Sequence, residues 1–169
     1  MAVVRRLPPD PADEKDIELR AVNLLSRREH SQLELQRKME QRGFDSKAVK
    51  AVLERLAERN WQSDERFTGS FIRHRVMQRQ GPIKIRAELT MRGIQSDDIE
   101  RHFEAEQVDW FALAAEALHR KFRTAAGDDR KEYARRQRFL ASRGFTMEHI
   151  RRAMGALESG EHDWDEGMF

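Results

Sequence analysis

The sequence predicts an all-α protein built from three tandem three-helix repeats, and three observations lead there. Met39-Glu-Gln-Arg-Gly43-Phe44, Leu89-Thr-Met-Arg-Gly93-Ile94 and Leu140-Ala-Ser-Arg-Gly144-Phe145 share one pattern, with glycines fifty and fifty-one residues apart. Around each copy, apolar residues recur at helical spacing behind polar cap residues. No stretch alternates apolar and polar residues long enough to make a strand.

The repeated pattern is the signature of a helix stopped by a left-handed glycine. In a Schellman motif the glycine is C′, the residue four before it is C3 and the residue after it is C″, and C3 touches C″. Met39 is therefore expected against Phe44, Leu89 against Ile94, and Leu140 against Phe145. Gly43, Gly93 and Gly144 are structural on this reading, because glycine takes the left-handed conformation at little cost.

The elements follow in order. Ile17, Ala21, Val22, Leu24 and Leu25 form the apolar stripe of a first helix from Glu14 to about Arg28. Ser31 with Glu34 is a capping-box pair, opening a second helix that ends at Gly43. A third runs from about Lys47 to Asn60 on Val49, Val52, Leu53 and Leu56, with Asp45 or Ser46 as its cap. Repeat two begins at Ser63-Asp64-Glu65-Arg66-Phe67 and continues through Phe71, Ile72 and Val76, with acids in the first turn as the helix dipole favours. Gly81-Pro82 is read as the end of that helix, with Pro82 at the first position of the next, which carries Ile85 and Leu89. Ser96 is expected to cap the following helix, on Ile99 and Phe103, to about Glu106. Repeat three takes Trp110, Phe111, Leu113, Leu118 and Phe122, breaks at Ala126-Gly127-Asp128, and resumes with Tyr133, Phe139 and Leu140. Its last helix opens at Thr146, carries Ile150 and Met154, and ends near Leu157. The chain then divides into a disordered N-terminal arm (1–15), repeats at 16–60, 61–107 and 108–157, and an acidic C-terminal tail (158–169).

Composition agrees with small units in series. Of 169 residues, 37% are charged and 38% hydrophobic, so the cores are thin and a stacked, elongated body is expected over one large globule. The net charge is only +2, but it is unevenly spread. Between residues 66 and 92, Arg66, Arg73, Arg75, Arg79, Lys84, Arg86 and Arg92 face one acid, Glu88. The segment from Arg120 to Arg152 is also arginine-rich, whereas residues 158–169 carry five acids and no Lys or Arg. Cysteine is absent, which removes disulfides, thiolate chemistry and cysteine-based zinc sites and suits a reducing cytoplasm. No run approaches the roughly 20 apolar residues a membrane span needs, and the first residues lack a signal-peptide core.

An enzyme needs a site, and none has usable spacing. There is no phosphate-binding glycine loop ending in Lys-Ser or Lys-Thr. The six histidines are scattered, and His162 with Asp163 and Asp165 is too slight for a metal site. No catalytic residue, metal or cofactor is expected. The basic stretch from Arg66 to Arg92 reads either as a solvated helix face or as a surface that tracks phosphates or acidic protein. Trp61 and Trp110, near repeat boundaries, are expected to pack between units.

The run Asp64-Glu65-Arg66-Phe67, then Phe71-Ile72, Arg75, Gly81-Pro82, Ile85, Glu88-Leu89 and Gly93-Ile94, resembles the central signature of the RecX regulators of the bacterial RecA recombinase. The likeness extends to Ser31, Glu34-Leu35 and Gly43-Phe44 in the first repeat and Gly144-Phe145 in the third. In the third copy the position matching Leu35 and Ile85 is Arg136, a departure from the pattern. The resemblance implies a curved molecule that lodges in the groove of the RecA filament on single-stranded DNA. It further implies inhibition of strand exchange, ATP hydrolysis and coprotease activity, and so of recombination, DNA repair and the SOS response. It raises Arg73, Arg75, Arg79, Lys84, Arg86 and Arg92 to candidate contacts with RecA or DNA, in a monomer with no membrane association. Arg66, at a helix start beside Phe67, is expected to serve local packing or an ion pair instead. The rival reading is a general helix-turn-helix-like DNA-binding module.

Overall fold

The computed structural model of the protein describes residues 6–160. The start of the N-terminal arm and the acidic tail beyond residue 160, with His162, Asp163, Trp164, Asp165 and Phe169, lie outside the described residues. Within them the chain forms α1 (Glu14–Leu25), α2 (Gln32–Gln41), α3 (Ser46–Glu58), α4 (Asp64–Met77), α5 (Pro82–Met91), α6 (Ser96–Glu106), α7 (Trp110–Phe122), α8 (Arg130–Ser142) and α9 (Met147–Ser159). The described residues contain no strand.

All three glycine stops are Schellman motifs. Gly43, Gly93 and Gly144 have φ of 95°, 86° and 94°. After each, the C″ amide donates to the C3 carbonyl: Phe44 to Met39 at 3.2 Å, Ile94 to Leu89 at 3.1 Å, Phe145 to Leu140 at 3.2 Å. All six apolar residues of these pairs are buried. The same geometry ends α3 with Asn60 at φ 62° and α4 with Arg79 at φ 57°, where Trp61 donates to Leu56 and Gln80 to Arg75. Arg79, rather than Gly81-Pro82, is thus the residue that terminates α4. Pro82 does occupy the first position of α5, where its missing N–H costs nothing.

The caps show where side-chain chemistry departs from pattern. Asp13, Asp45, Asp109, Asp129 and Thr146 accept first-turn amides of α1, α3, α7, α8 and α9. Ser31 accepts from the Glu34 amide at 3.1 Å, but the box is left half closed because the Glu34 carboxylate pairs with Arg28 and Arg92. Ser96 is the first residue of α6, so Gln95 takes the cap position expected of Ser96. Residues 6–13, expected within a disordered arm, lie against repeat one: the Asp45 amide donates to Pro11 O at 2.8 Å.

The described residues divide into two compact units, one made of those within 1–71 and 89–102 and the other of those within 72–88 and 103–169. Repeat two is divided between them, so the sequence repeat and the compact unit partition the chain differently. In the first unit, Ile17, Ala21 and Leu24 of α1 meet Leu35 and Met39 of α2 and Val49, Val52, Leu53 and Leu56 of α3, closed by Phe44. The start of α4 is fastened to this core through polar groups. Asp64 Oδ1 accepts from the Gln32 amide and from Gln62 Nε2, each at 2.9 Å, which satisfies an otherwise orphaned amide at the start of α2. Arg66 pairs with Glu29 at 3.1 Å and donates to the carbonyls of Asn60 and Trp61 beyond α3, the local role its position suggested.

In the second unit α7 and α9 pack most extensively. Ala114 and Ala117 permit the approach, and Leu113, Leu118, Leu140, Phe145, Ile150, Met154 and Leu157 fill the space. Arg136 sits in α8 with only 4% of its surface exposed, at the core-facing position that Leu35 and Ile85 occupy elsewhere. Its charge is met by Glu132 at 3.1 Å, by Thr124 O and by the Phe122 ring 4.8 Å away. Trp110 packs edge-on to Phe103 with ring centroids 5.3 Å apart. Trp61 does not pack as expected: it is 57% exposed, its backbone fixed at the C″ position after Asn60.

Candidate partner interface

Within the second unit the turn before α5 is docked on the turn before α9. The Gly81 amide donates to Arg143 O at 2.7 Å and the Ile83 amide to Gly144 O at 3.0 Å. A Cβ on Gly81 would lie 2.3 Å from the Gly144 carbonyl carbon, and one on Gly144 would lie 2.4 Å from Lys84 Cβ. Both glycines are therefore needed for backbone-to-backbone contact, which is a stronger demand than the helix-stop reading of Gly81. Around this junction Ile83 and Met147 are 51% and 66% exposed. Arg143 Nε is buried without a hydrogen-bond partner, its guanidinium 5.6 Å from the Phe139 ring.

The six cations singled out in the sequence are placed as follows. Arg73 pairs with Glu106 at 2.6 Å and remains 59% exposed. Arg75 pairs through Nε with Glu88 at 2.9 Å and donates to Gln78. Arg79 pairs through Nε with Glu116 at 2.8 Å, and its two terminal nitrogens have no protein acceptor among the described residues. Lys84 lies against Gly144. Arg86 sits 5.3 Å from the Phe103 ring. Arg92 belongs to the other unit, where it pairs with Glu34 at 3.2 Å and covers Phe71 at 4.9 Å. Arg73, Arg75, Arg79, Lys84 and Arg86 thus share one unit and Arg92 does not. An Nε-bound guanidinium is held in one orientation while its terminal donors stay available, which lowers the entropic cost of meeting a further anion.

One surface feature escaped the sequence reading, and a second was only partly legible. Trp61 lines a shallow apolar groove with Leu19, Val22 and Leu56, and the Asn60 helix stop was the available signal. On α7 to α9 and their connection, Lys121, Arg123, Arg130, Lys131, Arg138 and Arg151 have no acidic partner among the described residues, a consequence of the arginine-rich segment already visible in the sequence. No group of three or more metal-ligating side chains occurs among the described residues. None of their helices is long and apolar enough to cross a membrane.

The sequence matches the first, second and third three-helix domains of RecX at residues 19–56, 63–101 and 107–154. The chain belongs to the RecX family. Among relatives, it is 41% identical over 145 residues to the regulatory protein RecX of Chromohalobacter salexigens and 42% identical over 145 residues to that of Pseudomonas entomophila, covering 86% of this chain and 91% of each relative. The crystal structure of RecX from Lactobacillus salivarius aligns with a TM-score of 0.70 at 18% identity, over 87% of this chain and 97% of that one. A second crystal structure, of a regulatory protein RecX, aligns at 0.67 and 20% identity, over 82% and 70%. These solved structures establish the all-α RecX repeat fold for the chain, and the relatives place it among regulatory proteins. Gly81 and Gly144, on which the sequence resemblance partly rested, are the pair that form the junction.

Proposed function

We propose that this chain is a non-enzymatic regulator that binds the RecA filament on single-stranded DNA in the cytoplasm and inhibits its recombinase, ATPase and coprotease activities. Through them it dampens recombination, DNA repair and the SOS response. Membership of the RecX family supports the partner, and the junction surface of the second unit supports the mode. There, exposed Ile83 and Met147 are carried on two segments locked together by Gly81 and Gly144, with Lys84 against Gly144 and an oriented Arg79 two positions before Gly81. Exposed apolar side chains with flanking cations on a rigid backbone form a contact surface for an acidic-rimmed protein groove. By holding neighbouring RecA subunits in one arrangement, the bound chain slows the cycling that ATP hydrolysis requires. Arg73, Arg75, Arg79, Lys84, Arg86 and Arg92 remain the proposed contact residues, with Arg79 and Lys84 first among them, and the chain acts as a monomer.

The direct test is co-sedimentation with RecA filaments of the wild type and of an Arg79→Glu, Lys84→Glu variant. Loss of binding by the folded variant supports this surface, and unchanged binding removes it. A second reading, a DNA-binding module, is favoured by the unpaired cations of α7 to α9. It requires tight binding to DNA in the absence of RecA, with a preference for one duplex.

A further inference from the structure

We propose that the cavity at the C-terminal end of α2, in the first unit, is a binding site for phosphate groups. The cavity has a volume of about 420 Å³ and is lined by Arg6, Arg20, Lys38 and Arg42, with Gln41 and Pro8 among its walls. These cations come from three parts of the chain. Arg20 projects from α1, Lys38 and Arg42 from the last turn of α2 and its cap, and Arg6 from the segment folded back over Gly43. That segment is fixed by the Asp45 amide on Pro11 O and by Leu7, whose Cδ2 would stand 2.8 Å from a Cβ on Gly43. Ordering it therefore brings a fourth positive charge to a place that already has three.

One of the four is neutralised, since Arg20 Nε pairs with Asp16 at 3.0 Å. Arg6, Lys38 and Arg42 have no acidic partner among the described residues. The negative end of the α2 dipole favours one or two cations at this position. Its outermost carbonyls are already satisfied, though, because Gly43 and Phe44 donate to Glu40 and Met39. Like charges gathered in a concavity repel, and the arrangement is relieved by an anion that several of them reach together. A phosphate concentrates charge on one centre and matches the planar fork of arginine in bidentate fashion. An acidic peptide spreads single charges along a backbone and needs a longer track than one cavity. The phosphate can come from a free nucleotide or polyphosphate or from the backbone of a nucleic-acid strand.

The test is calorimetric titration of the full-length chain, without RecA, so that its outcome is independent of the filament-regulator reading. The probes are inorganic tripolyphosphate, ATP and an oligothymidylate. Variants are Lys38→Gln with Arg42→Gln, and Arg6→Gln, which alters no helix. Lys47→Gln with Lys50→Gln, exposed on α3, controls for net charge, and circular dichroism verifies folding. The expected result is tripolyphosphate binding that falls about tenfold or more in the double cavity variant, falls in Arg6→Gln, and is unchanged in Lys47→Gln with Lys50→Gln. Displacement by ATP identifies a free-nucleotide site, and displacement by the oligonucleotide alone identifies a strand-backbone site. Absence of binding by every probe overturns the proposal. So does equal binding by the wild type and the folded cavity variants.

Discussion

Gly81 and Gly144 stand so close that neither has room for a side chain: the Gly81 amide reaches Arg143 O at 2.7 Å, and a Cβ on Gly81 would fall 2.3 Å from the Gly144 carbonyl carbon. The contact is between two backbones, so flexible side chains cannot absorb an added atom. Gly81→Ala is expected to lower stability by about 2–3 kcal/mol through overpacking, seen as a lower denaturant midpoint. An unchanged midpoint would mean that the two turns do not meet.

Gly155 provides the opposite case. It lies inside α9 with nothing within 4 Å of the position its Cβ would take, so Gly155→Ala adds helix propensity without strain. Stability should rise by about 1 kcal/mol. A loss would show that α9 packs against something there.

Arg136 is a charge in a core position, held by Glu132, Thr124 O and the Phe122 ring. Arg136→Ala should cost about 2–3 kcal/mol, from a cavity and an abandoned carbonyl. Arg136→Leu, which restores the residue class of the other two repeats, should cost less than the alanine change. Equal losses measured by denaturant titration would show that packing at this site contributes little.

His30 and His149 are both held below the ordinary imidazole range, chiefly by burial, with Arg28 adding to the effect at His30 and Glu148 opposing it at His149. His149 Nδ1 accepts the Thr146 amide at 3.3 Å in the cap of α9, a role that protonation of this nitrogen ends. Because the unfolded chain binds these protons more readily, stability should hold steady above about pH 6.5 and fall as the pH drops below it. His149→Gln should flatten part of that fall in thermal melts taken across pH. An identical acid slope in the variant would place the effect elsewhere.

What was legible in the sequence was whatever local backbone chemistry decides. The Met39–Phe44, Leu89–Ile94 and Leu140–Phe145 pairs follow from one glycine rule, and each appears with its hydrogen bond. Arg79 and Asn60 end helices by the same geometry without a glycine, so the glycine rule does not mark them. Gly81 was noticed for the wrong property, since its close partner lies sixty-three positions away in the chain and no local rule points to it. Trp61 was expected to pack between units, yet it is exposed, because an aromatic at C″ packs only as far as neighbouring residues cover it. For the candidate contacts, the sequence supplied the charges but could not show which carboxylates hold Arg73, Arg75 and Arg79 in place.

Regulation of RecA is tested most directly by RecA's DNA-dependent ATP hydrolysis with this chain titrated in, beside a control lacking RecA. Inhibition should be half complete well below one chain per RecA subunit and weakened by Arg79→Glu with Lys84→Glu, with no hydrolysis by the chain alone. Full-rate hydrolysis in the presence of excess chain would contradict it.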